Sequence, residues 1–118
     1  MRTPAGYGPR RQNGRVRLGL DPGLPLRKQP ERGHNRWHPE IPAVAWVEPG
    51  EEIALELRDS LDGQLTRDSA DEDVLRTLPV SHVLTGPVGI HGAEPGDVLE
   101  IELLGYETDD FGWTAVLP

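Results

Sequence analysis

The sequence predicts an all-β fold, sandwich-like or barrel-like, with one short helix near residues 70–77. Three observations predict it. Short segments alternate apolar and polar residues with a period of two, the signature of half-buried strands. The chain holds 14 glycines and 12 prolines in 118 residues, about twice the ordinary share of the pair and spread as many turns require. A Glu-Pro-Gly-acid tetrapeptide also occurs twice, at residues 48–51 and 94–97, each time followed by an alternating segment.

The elements follow in order. Residues 1–14 contain Pro4, Gly6, Gly8, Pro9 and Gly14 with little to bury, and are expected as a disordered basic tail. Residues 15–118 are expected as one β domain. Its first strand spans residues 15–20, with Val16, Leu18 and Leu20 on one face, and ends at the turn signal Asp21-Pro22-Gly23. Residues 22–42 hold five prolines, which fix φ and remove donors, so this stretch is extended and irregular. A short apolar run at residues 43–47 meets Glu48-Pro49-Gly50, where Pro presets φ and Gly takes the positive φ of a type II turn.

Ile53, Leu55 and Leu57 then alternate with polar residues as a half-buried strand, closed by Asp62-Gly63. Residues 70–77 form the helix, with Ser69 as its cap and Asp71, Glu72 and Asp73 in the first turn, where acids complement the dipole. Pro79 stops it. After the second Glu-Pro-Gly turn, Leu99, Ile101 and Leu103 face one way and Glu100 and Glu102 the other. The two stretches, 48–57 and 94–103, are either two uses of one turn-to-strand device or traces of a duplication; both readings give a sandwich or barrel. The last run, Phe111-Gly112-Trp113-Thr114-Ala115-Val116, begins a strand with nothing following to pair with it, and the expectation is a domain completed by further chain.

Charge is lopsided. Residues 1–36 carry nine basic and two acidic residues, whereas residues 37–118 carry three basic and eighteen acidic ones. An acidic body argues against a nucleic-acid groove, whose affinity comes from neutralising phosphates. No apolar run approaches the roughly 18–20 residues that cross a bilayer, and no apolar stretch follows the early arginines as in a secretory leader. Neither nucleic acid nor membrane is expected as a partner, and the cytoplasm is the expected location. The absence of cysteine removes disulfides, thiolate metal sites and a thiol nucleophile.

Four segments, in this order, resemble the acetamidase/formamidase family: Gly33-His34-Asn35-Arg36-Trp37-His38-Pro39-Glu40-Ile41-Pro42; residues 59–74, with Gly63-Gln64 and Asp68-Ser69-Ala70-Asp71; His82-Val83-Leu84-Thr85-Gly86-Pro87; and Gly92-Ala93-Glu94-Pro95-Gly96-Asp97-Val98-Leu99. The resemblance covers residues 16–118 and roughly the first third of a family member. Two departures stand out: the family usually has Glu where this chain has His91, and Gly-Gly where it has Asp62-Gly63. The resemblance implies hydrolysis of a short aliphatic amide, formamide or acetamide, to carboxylate and ammonia. It also implies an all-β N-terminal region, with the remainder of the enzyme or a homo-oligomer as partner. The other reading is a truncated or split-gene β module without catalysis.

Amide hydrolysis requires an attacking group, a polariser for the carbonyl and an acid for the leaving amine. With no Cys and Lys28 the only lysine, a water activated by a metal or by carboxylates and His remains. The catalytic candidates are Asp59, Asp68, His82 and Glu94, with Gln64 as substrate-binding residue. Each has a structural alternative. Asp59 and Glu94 can close turns, Asp68 can belong to the helix cap, Gln64 can close its loop, and His82 can be a core or hydrogen-bonding histidine. A divalent metal such as zinc would find His34 and His38, four apart, as ligands; Pro39 disfavours the helix that would align them, so the pair is expected in a loop.

Overall fold

The computed structural model describes residues 10–116; residues 1–9, most of the expected tail, lie outside them. The regular elements of the described chain are mostly strands, with one α-helix, α1 (Asp71–Thr77). The strands are β1 (Arg10–Gln12), β2 (Arg15–Gly19), β3 (Gly33–His34), β4 (Ala45–Val47), β5 (Ile53–Glu56), β6 (Leu84–Thr85) and β7 (Val88–Ile90).

β1 and β2 form a hairpin in which Gln12 faces Arg15. Residues 10–14 were expected within the tail, yet Asn13 and Gly14 both adopt positive φ, 52° and 79°, as a two-residue turn matched to strand twist demands. β2 then pairs in parallel with β5, Val16 opposite Ile53 and Leu18 opposite Leu55. Arg15 and Arg17 reach across to Glu52 and Glu56, at 2.5 and 2.7 Å. β4 pairs in parallel with β7, Ala45 opposite Val88 and Val47 opposite Ile90. The expected face of β2 is buried throughout: Val16, Leu18 and Leu20.

The two parallel pairs pack face to face. Val16 and Leu18 from β2 meet Ala45 and Val47 from β4, with Val44, Ile53, Val88 and Ile90 packed around them. This is the sandwich-like layering that alternation demands once each sheet buries one face. A second, smaller cluster joins Leu20, Leu26 and Val83, with Val80 against it. β3 and β6 pair antiparallel beside it, and Thr85 Oγ1 donates to the Glu56 carbonyl at 2.8 Å, fastening β6 to β5.

Gly89 in β7 has a packing role that no other residue fills. A Cβ there would lie 2.5–2.7 Å from the Trp46 indole, closer than carbon atoms approach without displacement. The Trp46 ring in turn stacks on His91, with centroids 5.1 Å apart. Gly89→Ala is expected to push the indole off His91 and loosen the β4–β7 pair; a shift and broadening of tryptophan emission, with a lower unfolding midpoint, would register it.

Three expectations require correction. Ser69 does not cap the helix: Ala70 is the N-cap residue, and Asp73 Oδ2 reaches back to its N–H at 2.8 Å. Ser69 Oγ instead accepts from Thr66 N–H at 2.9 Å, closing the preceding turn. Of the expected strand face only Ile53 packs into the core; Leu55 and Leu57, further along the same face, stay exposed because that core cluster does not extend over them. Residues 98–104 form no strand, and Leu99, Ile101 and Leu103 are all exposed. A strand needs a neighbour for its N–H and C=O groups, and none is placed beside this segment among the described residues.

Candidate functional site

The most tightly built polar region lies where the turn after β2 meets the turn after β5. Gln29, almost completely buried, donates from Nε2 to the carbonyls of Asp21 and Leu24 (3.0 and 2.8 Å) and accepts from Asp21 N–H through Oε1 at 2.7 Å. Arg58 donates to the same two carbonyls, to Leu24 at 2.9 Å and to Asp21 at 2.5 Å. Its charge is met by Asp62 Oδ1 at 2.5 Å, while Asp62 Oδ2 accepts from Leu26 N–H at 3.0 Å. Both charges are largely withdrawn from water, with side chains 13% and 4% exposed, so hydrogen bonding on every side is what makes their burial tolerable. Asp62 holds φ at 62°, a left-handed conformation in which a glycine sits without strain.

Arg58, Asp62 and Gln64 line a cleft of about 180 Å³ together with Leu24 and Val80. A broader groove next to it, about 510 Å³, is bordered by Gln64, Asp68, Asp73 and Arg76. Gln64 is therefore common to both, although its own Nε2 donates to Leu61 O at 2.7 Å. Asp68 borders the groove, its N–H on Thr66 Oγ1 at 3.3 Å.

The remaining candidates lie elsewhere. Asp59 is exposed and accepts from Leu61 N–H at 2.8 Å, which is turn closure. His82 is exposed with φ at 61°, and carries no hydrogen bond or ion pair among the described residues. Its neighbour Val83 donates to the Ser60 carbonyl at 3.4 Å, so the segments bearing His82 and Asp59 run side by side. Glu94 opens the second Glu-Pro-Gly turn: Asp97 N–H donates to its carbonyl at 3.1 Å, and its own N–H donates to Asp97 Oδ2 at 2.8 Å. The first turn is closed the same way by Glu48 and Glu51, at 3.0 Å each. Asp59, Gln64 and His82 thus belong to adjoining segments, with Asp68 next along the groove and Glu94 apart on the C-terminal segment.

His34 lies in β3, where Nδ1 contacts the Arg36 carbonyl at 2.7 Å, and His38 Nδ1 accepts from Glu40 N–H at 3.2 Å. Neither sits on a helix. Among the described residues no three His, Asp or Glu side chains gather as a metal ion requires. The donor set for a divalent ion is not assembled by these residues.

Sequence reasoning missed Arg58 and Asp62. Their one signal was Asp62 standing where the resembled family has glycine: a left-handed position filled by an acid implies that its carboxylate has work to do. Gln29 gave none, since glutamine is ordinarily a surface residue.

The family model described as "Acetamidase/Formamidase family" matches residues 19–118. The chain belongs to that family. It is 42% identical to an acetamidase of Mycolicibacterium smegmatis over 90 residues, 75% of this chain and 22% of the relative. A formamidase of Methylophilus methylotrophus is 43% identical over 82 residues, 68% of this chain and 20% of the relative. Among solved structures, a gamma lactamase from Delftia acidovorans superposes with a TM-score of 0.59 at 46% identity, over 65% of this chain and 19% of that one. This acetamidase/formamidase chain thus spans about a fifth of the relatives it matches, less than the third expected from sequence. Among the described residues no helix is long and apolar enough to cross a membrane.

Proposed function

We propose that this chain supplies the N-terminal portion of an enzyme that hydrolyses short linear amides, formamide or acetamide, to carboxylate and ammonia. The observation that carries the reading is family membership over residues 19–118, with relatives named acetamidase and formamidase above 40% identity. The adjoining segments of Asp59, Gln64 and His82 support a site at this end of the sandwich. In this reading His82 takes a proton from water as the oxygen attacks the amide carbon, and the Asp59 carboxylate, on the adjoining segment, helps hold that water. Gln64 hydrogen-bonds the substrate amide. The C–N bond breaks as the protonated His82 passes that proton to the departing nitrogen, releasing ammonia, with Asp68 bordering the same end of the groove as Gln64. The cytoplasmic setting and a homo-oligomeric state belong to the same proposal.

The test is ammonia release from formamide, acetamide and a γ-lactam, the last because of the gamma lactamase likeness, by this chain joined to the rest of a family sequence. His82→Ala is expected to cut turnover about a hundredfold, the low end of what a positioned proton acceptor contributes. Trp37→Ala, at a side chain 90% exposed and outside the proposed set, is expected to leave it unchanged. Release of ammonia indifferent to His82→Ala removes that residue from the reaction, and no release from any of the three amides overturns the function.

The second reading, a β module without catalysis, draws on the exposure of Asp59, His82 and Glu94. It predicts no ammonia release under the same conditions.

A further inference from the structure

The C-terminal segment is held at both ends and uncovered between them. At its start His91 N–H donates to the Val47 carbonyl at 2.9 Å and its ring stacks on Trp46. Further on, Arg67 donates to the Asp110 carbonyl at 2.9 Å and its guanidinium lies 5.3 Å from the Phe111 ring centre. Every residue from 92 to 110 is exposed, including Val98 at 96%, Ile101 at 75%, Leu103 at 70% and Tyr106 at 74%. Monomeric domains rarely leave so many apolar side chains together in water. The alternation at 99–103 is that of a strand, and the same Glu-Pro-Gly device at 48–51 leads into β5, which is paired with β2.

Charge limits what can cover this segment. Residues 94–110 hold seven acids, Glu94, Asp97, Glu100, Glu102, Glu107, Asp109 and Asp110, and no basic residue. Two copies pairing through it would set Glu100 and Glu102 against each other, and like charges on facing strands are destabilising. A partner strand with basic residues has no such conflict. The matched relatives have about four-fifths of their length outside the aligned region, and that polypeptide is the available occupant.

We infer that residues 98–104 are a docking strand for the polypeptide that carries the remainder of the acetamidase/formamidase sequence, whose facing strand presents Lys or Arg to Glu100 and Glu102. Backbone pairing supplies the hydrogen bonds that the segment lacks, and Leu99, Ile101 and Leu103 enter the partner's core, as in strand addition generally. The inference rests on the proposed role as an N-terminal portion. It adds which residues make the join and the charge the partner must carry.

The experiment mixes the 118-residue chain with Mycolicibacterium smegmatis acetamidase from which the matched 90-residue stretch has been removed. A one-to-one complex is expected by size-exclusion chromatography, with slowed amide exchange at 98–104. Ile101→Lys, at an exposed position that leaves the chain's own fold intact, is expected to weaken association at least about tenfold. As a second measurement, this chain is fused in place of the removed stretch and exchange at 98–104 is compared with that in the free chain. No complex together with no protection in the fusion, or a complex with 98–104 still exchanging freely, overturns the inference. So does a dimer of the chain alone that Ile101→Lys dissolves, since a second copy would then be the occupant. Ammonia release is read separately: docking without hydrolysis defeats the functional proposal alone, and hydrolysis with 98–104 unprotected defeats the docking alone.

Discussion

Asp62→Ala is expected to lower the stability of this chain by about 3–5 kcal/mol, the usual cost of removing one partner from a buried ion pair. The carboxylate is 4% exposed and serves two donors, Arg58 and the Leu26 N–H. With it gone, Arg58 keeps the carbonyls of Asp21 and Leu24 but has no counter-charge in a site that water barely reaches. Alanine would also inherit a φ of 62° without a side chain able to hydrogen-bond there. Two companion variants separate these effects. Asp62→Gly relieves the backbone while still losing the charge, and is expected to cost less than alanine. Asp62→Asn keeps hydrogen-bonding capacity and loses only the charge, and is expected to cost least. Urea unfolding curves of the three rank them; alanine equal to wild type would mean that the ion pair contributes nothing. Against a total of roughly 5–15 kcal/mol for a domain, the expected loss leaves little in reserve.

Leu18→Ala is expected to cost about 2–5 kcal/mol. Leu18 is fully buried between the two parallel pairs, in contact with the cluster of Val16, Ala45 and Val47. Its removal opens a cavity in the larger of the two core clusters, where β-sheet backbone on both sides resists collapse. Leu57→Ala, at a side chain 73% exposed, is the control and should move the denaturation midpoint by no more than about 0.5 kcal/mol. Equal effects at the two positions would contradict the packing described for β2 and β4.

Much of this fold was legible in the sequence because local rules act on neighbours. The period of two in residues 15–20 gave the buried face of β2, Pro49-Gly50 and Pro95-Gly96 gave their turns, and three acids gave the start of α1. What was illegible depends on residues far apart. Alternation reports that Leu55, Leu57, Leu99, Ile101 and Leu103 lie on apolar faces, but says nothing of which surface covers them, and no described residue does. Ser69 looked like a cap because capping residues and turn residues share the same chemistry; Thr66 claimed its hydroxyl first. The candidate site was partly legible for the same reason. The segments of Asp59, Gln64 and His82 adjoin through one backbone bond between positions 60 and 83, a closure that no local pattern encodes, while Asp59 has a turn-closing contact as well as proposed chemistry.

The parallel pairing of the strands also bears on how the chain reaches its native form. Val16 meets Ile53, 37 positions onward, and Ala45 meets Val88, 43 positions onward. β1 and β2 can pair locally as a hairpin, but neither parallel pair can; each must close a loop of some forty residues before its ladder forms, and the entropy of that closure is lost before contacts compensate. Topologies dominated by such distant pairs fold in the millisecond-to-second range, far slower than helical bundles. During synthesis β2 emerges long before β5, so its apolar face waits for a mate, and the interval before closure is when the chain is most exposed to misassociation.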